Sequence, residues 1–574
     1  MLAGIESLAD HKSFFNSKDG KYNPQKELDA TLASFFEPGV EETPETQHPQ
    51  CRFPARFDWL DQKLGFDFTK LAKQKCPRFD AWYKALNPEQ ITIVFPSTYM
   101  NDPASMFGHT LLRIDAHGQT EKTRLLAYSA NYSAKTDASN AMLYALKGLV
   151  GLYQGYFSIS PFYETVETYN ALERRDIWEY ELNYSQAEVD FLLKHLWEMQ
   201  GVAFDYFYFD ENCSYHLLAL LDVIRPELEL SKKFRFWAIP VDTIRSVSEV
   251  PGLVKKINYR PSIVTKLEAR MDLLSDEQKK AVLDIQDKPS LDREDIFDSK
   301  TLEASFDYLQ LRQVEGEFES EQVSDIYYSL LKKRSELGQS SSHFKVKPPS
   351  IRPEQGHLST RSHIGAGSKD DKLFIELSWR AAYHDLIDKR QGFKKGAEIE
   401  FFDLRLRQYE EDGIELERLN LVSVRALSPK TNLTKPKAWA MGAEIDKKQF
   451  SKEKDSGVFE AQALRGVAFS LLESSRLYFL VGANAQISGH FDDNYALGLE
   501  SKNGLVQNLG EDNSFELFLN GSRHFLGDNF NTYGLGLNYN YSLSTNKALR
   551  ANFSRKQDYE YEYNEFGLNF IAFF

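Results

Sequence analysis

Two short stretches of this 574-residue chain carry side chains able to do covalent chemistry. One is FDENCSYHLL, residues 209–218, where Cys213, one of only three cysteines, precedes the apolar run SYHLLALLDVI that reads as a buried helix. Asp210 and Asn212 are both available to cap that helix. A thiol in a first helical turn lies among unpaired backbone N–H groups at the positive end of the helix dipole, which favours its thiolate. The same N–H groups are expected to form an oxyanion hole. The second stretch is STYMNDPASMFGHTLLRID, residues 97–115, a Pro- and Gly-punctuated loop expected to run into a strand whose first residue is His109. Imidazole has the intrinsic pKa needed to accept the thiol proton and return it to a leaving group, so Cys213 and His109 together predict nucleophilic thiol catalysis.

A third group should orient the imidazole, and the neighbouring strand RLLAYSANYSA, residues 124–134, offers Tyr128, Ser129 and Asn131, with Tyr128 and Asn131 equally placed. Asp102 and Asp115 are also near His109 in the chain, Asp102 as a turn residue in NDP. His109, Asp115 and His117 do not have ligand spacing for a metal, and no metal or other cofactor is called for. His195 falls on an amphipathic helix, and His216, three residues after Cys213, is expected to point into the core.

The remaining cysteines constrain the setting. Cys51 and Cys76 flank a short helical stretch and are expected to form a disulfide worth about 3 kcal/mol in an oxidising compartment. That leaves Cys213 as an odd thiol in an exported chain, a liability unless it is used. The N-terminal MLAGIESLADHKSFF has no basic-then-apolar export pattern, so export implies a signal removed ahead of it. The net charge of −15 argues against nucleic acid as a partner, and no apolar run is long enough for a transmembrane helix.

The elements that must position these residues divide the chain into four. Residues 1–90 read as a capping region of short helices, including YNPQKELDATLASFF and PRFDAWYKAL. Residues 91–259 alternate strands and helices as an α+β domain. Residues 260–355 form a charged helical spacer and a Ser/Pro/Lys-rich linker. From 356 to 574 apolar and polar residues alternate with period two: Leu373, Ile375, Leu377, Trp379, Ala381 and Tyr383 share one face, as do Tyr533, Leu535, Leu537 and Tyr539. Polar turns are expected at SKNG, LGDN and STNK. About twelve such segments predict a closed antiparallel transmembrane β-barrel, with the apolar face toward lipid and with Asn538 and Asn540 on a lumenal face that tolerates charge. The chain ends on Phe574 in register with the apolar face, as terminal strands of bacterial outer-membrane proteins do.

SMFGHTLLRI followed about a hundred residues later by FDENCSYHLLALLD resembles the circularly permuted papain-like group, in which the histidine precedes the cysteine. More closely, the pair resembles the Lnb-type lipoprotein N-acyltransferase family over roughly residues 90–230. The resemblance implies a permuted papain-like catalytic domain with His109 and Cys213 as its pair. It also implies an acyltransferase that takes a phospholipid acyl chain as a Cys213 thioester and passes it to a lipoprotein amine. Aromatic segments in YALKGLVGLYQGYFSISPFYE, residues 144–164, are candidates for a lipid-facing rim. The expected location is the outer membrane, among its lipids, with the catalytic domain in the periplasm. The alternatives are a papain-like peptidase or amidase acting on peptidoglycan, and a non-enzymatic adhesion or assembly protein with a structural Cys213.

Overall fold

The structure is a computed structural model; it describes residues 6–574 apart from 44–45, 102–105, 136–146, 149–150, 288–290, 294, 318–319, 338–343, 411–412 and 473. Asp102 and parts of the aromatic 144–164 stretch therefore lie outside the described residues. The chain divides into two compact units, Met1–Pro348 and Pro349–Phe574.

The first unit opens with four helices, α1 (Pro24–Ser34), α2 (Pro49–Arg52), α3 (Pro54–Leu64) and α4 (Pro77–Leu86), each started by a proline. Proline fits there because its φ is already helical and the N–H it lacks would have no intrahelical acceptor. Phe35, Phe53, Phe57, Leu60 and Leu71 close a small core between them. That core is stapled by the Cys51–Cys76 disulfide, whose Cα atoms are 5.2 Å apart. Cys213 is the free cysteine. Maleimide applied to unreduced, denatured protein should therefore label a single peptide, the one containing Cys213; label on Cys51 or Cys76 would refute the bridge.

The centre of the unit is a seven-stranded antiparallel sheet in the order β6-β4-β3-β2-β1-β5-β7. The strands are β1 (Pro88–Pro96), β2 (Leu111–Ala116), β3 (Tyr128–Lys135), β4 (Tyr153–Pro161), β5 (Ile177–Leu182), β6 (Phe204–Tyr206) and β7 (Val254–Arg260). β1 is buried from Ile91 to Pro96 because both faces of the sheet are covered. One face carries α5 (Phe162–Val166), whose Phe162 packs with Val94, Leu111 and Ile177. The other carries α6 (Gln186–Glu198) and α7 (Cys213–Ile224). Further helices follow: α8 (Pro240–Ser248), α9 (Ile263–Met271), α10 (Asp276–Leu283), α11 (Ser299–Val314) and α12 (Ser320–Glu336). They include the helical spacer expected from residue 260 onward.

The second unit is a closed antiparallel barrel of twelve strands, β8 (Arg361–Lys369) to β19 (Tyr561–Phe573), sealed by pairing of β19 with β8. The outward face carries Leu373, Ile375, Leu377, Leu535, Leu537, Phe566, Leu568 and Phe570, all exposed, as a lipid-facing band requires. The alternation persists in β9 (Lys372–His384) until Trp379; Ala381 and Tyr383 are buried. Of the expected turns, STNK does join β17 (Asn531–Ser544) to β18 (Lys547–Asp558). SKNG instead lies within β15 (Tyr495–Leu509), where Lys502 points into the barrel beside Glu500 while Ser501 and Asn503 share the outward face with Leu497 and Leu499.

That interior is filled. Arg361 donates to Asp385 at 2.5 Å and Asp403 at 3.1 Å, Arg407 to Glu376 at 2.7 Å and Glu417 at 2.9 Å, and Arg425 to Glu398 and Glu516. The connection from β9 to β10 (Ala397–Tyr409), residues 385–396, turns inward, so that Leu386 and Ile387 are buried among Ala440, Leu464, Tyr478 and Leu480. This corrects one expectation about the lumenal face. Asn540 is 1 % exposed and accepts from Arg550 Nε at 3.2 Å, so it has no room for a second cation, whereas Asn538 is only half-buried and its amide faces Glu516 at 3.5 Å.

Candidate active site

Cys213 is the first residue of α7 and is 7 % exposed. The cap is Asn212, not Asp210: the Asn212 side-chain oxygen accepts from Ser214 N at 3.0 Å and Tyr215 N at 3.3 Å, and its amide donates to Tyr208 O and Ala238 O. Asp210 turns back to accept from the Glu211 N–H. This cap corrects the expected oxyanion hole, since the Ser214 and Tyr215 amides are already engaged. The N–H of Cys213 itself is the remaining first-turn amide with no intrahelical acceptor.

His109 reaches the thiol from the end of β2. It is not the first residue of the strand, which begins at Leu111; it follows Gly108, whose φ of +96° swings the chain into the strand. A side chain at Gly108 is excluded twice, by that φ and by Phe95, whose Cε2 would lie 2.6 Å from a Cβ. Gly108→Ala should therefore cost about 1–3 kcal/mol and displace His109. Accelerated proteolysis of residues 6–348 and slowed alkylation of Cys213 are the expected signs, and wild-type behaviour in both would refute the requirement.

His109 and Thr110 alternate to opposite faces of the sheet. Thr110 turns toward α7, where its hydroxyl donates to Ser214 Oγ at 3.0 Å. His109 turns toward the α5 face, its Nε2 2.8 Å from the side-chain oxygen of Asn131, and it is close enough to Cys213 for each to shift the other's proton affinity. An amide oxygen can only accept, so Nε2 carries the proton in this contact. Cys213, His109 and Asn131 thus form one connected line.

Register separates the two residues that the sequence left equal. Tyr128 pairs with Ile114, five positions along from His109, and an odd step from Asn131 puts its side chain on the other face of β3. Asn131 is brought to His109 and Tyr128 is not. The other histidines are placed elsewhere. His216 is buried against Tyr132, ring centroids 4.1 Å apart, and burial alone pushes it down to about 3. His195 faces Glu198, and His117 is exposed beside Glu89. Asp115 is held by Arg113 at 2.7 Å, so His109, Asp115 and His117 do not converge. Among the described residues, His357, His384 and Asp388 in the barrel unit do converge, but Asp388 is already bound by Arg380 and Arg550.

The electrostatics match thiol activation. Burial disfavours a charged sulfur, yet the adjacent His109 imidazole, the Thr110 N–H and the Ser214 hydroxyl bring Cys213 down to about 7. For His109, burial opposes the imidazolium, but Cys213 and Asn131 raise it above its ordinary value against the opposing charge of Arg175. Arg175 is fully buried, donates to Pro96 O and Ser97 O, and lies over the ring of Tyr169, which packs on His109 at 5.6 Å. Tyr169, Arg175, Thr110 and Ser214 were not legible as site residues. Only Thr110 and Ser214 carried any signal, as direct neighbours of the reactive pair.

Residues 78–250 match the family described as Lnb N-terminal periplasmic domain. Residues 350–573, 257–346 and 2–63 match three domains of unknown function (DUF7840, DUF7842 and DUF7843). No curated protein matches the chain. Solved structures similar to the barrel include an outer membrane channel from Pseudomonas putida F1, 11 % identical, covering 40 % of this chain and 100 % of that one with a TM-score of 0.27. A NanC porin is 7 % identical over 38 % of this chain and 100 % of its own, TM-score 0.25. LpxR from Salmonella typhimurium is 10 % identical over 37 % and 100 %, TM-score 0.23. The closed twelve-strand barrel with its apolar exterior and the periplasmic-domain match locate the chain in the outer membrane, with residues 78–250 in the periplasm.

Proposed function

We propose that the protein is a thiol-dependent acyltransferase that moves an acyl chain from a phospholipid to an amine, the N-terminus of a lipoprotein being the acceptor that fits best. The observation that carries the reading is the line Cys213–His109–Asn131 at the start of a buried helix, with His109 hydrogen-bonded to Asn131 and electrostatically tied to Cys213, in a segment that matches the Lnb periplasmic domain family.

In the first half-reaction the Cys213 sulfur attacks an ester carbonyl of the donor while His109 takes the thiol proton. The carbonyl oxygen, charged in the tetrahedral intermediate, is met by the Cys213 N–H. Collapse breaks the ester C–O bond, His109 protonates the departing lysophospholipid oxygen, and a thioester remains on Cys213. In the second half an amine attacks the thioester, His109 takes its proton and returns it to the sulfur, and the amide leaves. Asn131 keeps the imidazole facing the sulfur throughout. The membrane barrel tethers this chemistry to the surface that holds both lipidated substrates. This removes a long diffusive search.

Incubation of the purified protein with phospholipid vesicles, followed by mass spectrometry, tests the reading. The expected result is an acyl-sized adduct on the Cys213 peptide, discharged by a lipopeptide with a free α-amino group. Absence of the adduct together with release of peptides or amides from peptidoglycan would replace it with a hydrolase reading.

A further inference from the structure

The proton acceptor and its orienting amide account for one side of Cys213, and the opposite side is occupied by two hydroxyl groups. Thr110 is 1 % exposed and Ser214 is fully buried, so neither hydroxyl is there for solubility. Burying two hydroxyls at the meeting of a strand and a helix is unfavourable unless each finds a partner. The partners form a chain. Thr110 Oγ1 donates to Ser214 Oγ at 3.0 Å, which leaves the hydrogen of Ser214 free to turn to the Cys213 sulfur at 3.8 Å. The Thr110 backbone N–H also favours a charged sulfur. Both residues are held rigidly: Thr110 stands at the entry to β2, and Ser214 has its own N–H fixed by the Asn212 cap.

We infer that Ser214 is a donor to the Cys213 sulfur and that Thr110 is a positioning residue that aims it, a two-hydroxyl relay opposite His109 holding the nucleophile as its thiolate. The inference rests on the reading of Cys213 as a nucleophile. A long thiol contact of this kind tightens as negative charge develops on the sulfur, because a charge-assisted hydrogen bond is about twice as strong as a neutral one. The relay has a direction. Without Thr110 the Ser214 hydroxyl can rotate toward other acceptors and the sulfur loses part of its donor. Without Ser214, Thr110 has nothing to aim.

The test reads thiolate formation directly and needs no lipid: the rate of Cys213 alkylation by iodoacetamide from pH 5.5 to 9.5, on the full chain in detergent. Ser214→Ala should slow alkylation at pH 6.5 by about five- to ten-fold and converge with the native rate above pH 9, since only the thiolate reacts. Thr110→Val, which keeps the shape and removes the hydroxyl, should slow it by about two- to three-fold, and Thr110→Ser, which restores the hydroxyl, should recover the native profile. In the Ser214→Ala background, Thr110→Val should have no further effect, the signature of a relay rather than of two separate contacts. A Ser214→Ala profile that superimposes on the native one overturns the inference. Full additivity of the two substitutions overturns the role of Thr110. If these profiles shift as expected while no acyl adduct forms on phospholipid, the relay stands and the lipid-donor reading falls.

Discussion

Cys213→Ala leaves no acyl adduct at any pH, and His109→Ala lowers the rate of adduct formation by about 10²–10⁴-fold, the usual contribution of a positioned general base. The alanine at 213 removes one sulfur from a first-turn position, so the sheet and helices around it should remain intact, read as unchanged thermal unfolding. The sign of the pH dependence follows from the thiol. Cys213 is brought down to about 7, so alkylation is slow at pH 5.5 and rises through neutrality as the thiolate forms. Removing His109 takes away the largest influence that lowers it, so burial, opposed by the Thr110 N–H and the Ser214 hydroxyl, pushes the thiol back toward the free-cysteine value. At pH 7 that change cuts the thiolate fraction by up to about fifteen-fold. Native activity in the alanine variant, or alkylation independent of pH from 5 to 9, would remove the nucleophile from the proposed mechanism.

Leu535→Arg destabilises the barrel by about 2–4 kcal/mol if the position lies near the bilayer midplane, with a smaller cost toward the aromatic ends of the strand. Leu535 and Leu537 are 50 % and 42 % exposed on the outer face of β17, with Tyr533 and Tyr539 beyond them, so an arginine there has lipid on every side. Asn540→Arg should be nearly as damaging for the opposite reason. It would press a cation against Arg550, which is already committed to Asp385 and Asp388. Asn538→Arg should be tolerated, because Glu516 is within reach to accept it. Heat-modifiable gel migration after folding into detergent micelles or liposomes reads all three. If Asn540→Arg folds as well as Asn538→Arg, the lumen is not filled as described.

Much of this molecule is written in local patterns. The period-two alternation of Tyr533, Leu535, Leu537 and Tyr539 determines a two-faced strand whatever its neighbours are, and repeated through to Phe574 it determines a barrel wall. Prolines 24, 49, 54 and 77 mark helix starts because their fixed φ and missing N–H suit no other part of a helix. Three cysteines in an exported chain imply one bridge and one thiol, and two separate short motifs, a thiol at the start of an apolar helix and a Gly-His turn before a strand, single out Cys213 and His109 as candidates. Each of these signals needs only a few consecutive residues.

What the tertiary structure alone decided depends on register between distant segments. Whether Asn131 or Tyr128 meets His109 turns on the pairing of β2 with β3, and a slip of one residue would exchange their faces. The cap at Asn212 could not be told from one at Asp210 until the loop showed the Asn212 amide tied to Tyr208 O and Ala238 O. The Asn212 cap in turn withdrew two amides from the oxyanion hole. SKNG has the composition of a turn and lies in a strand, because neighbouring strands pair with it on both sides, at Tyr478–Val481 and at Phe518–Gly521. The lumen crossed by ion pairs changed the meaning of Asn540. Alternation states that a residue points away from lipid, but only closure of twelve strands, with residues 385–396 turned inward among them, determines what it points at.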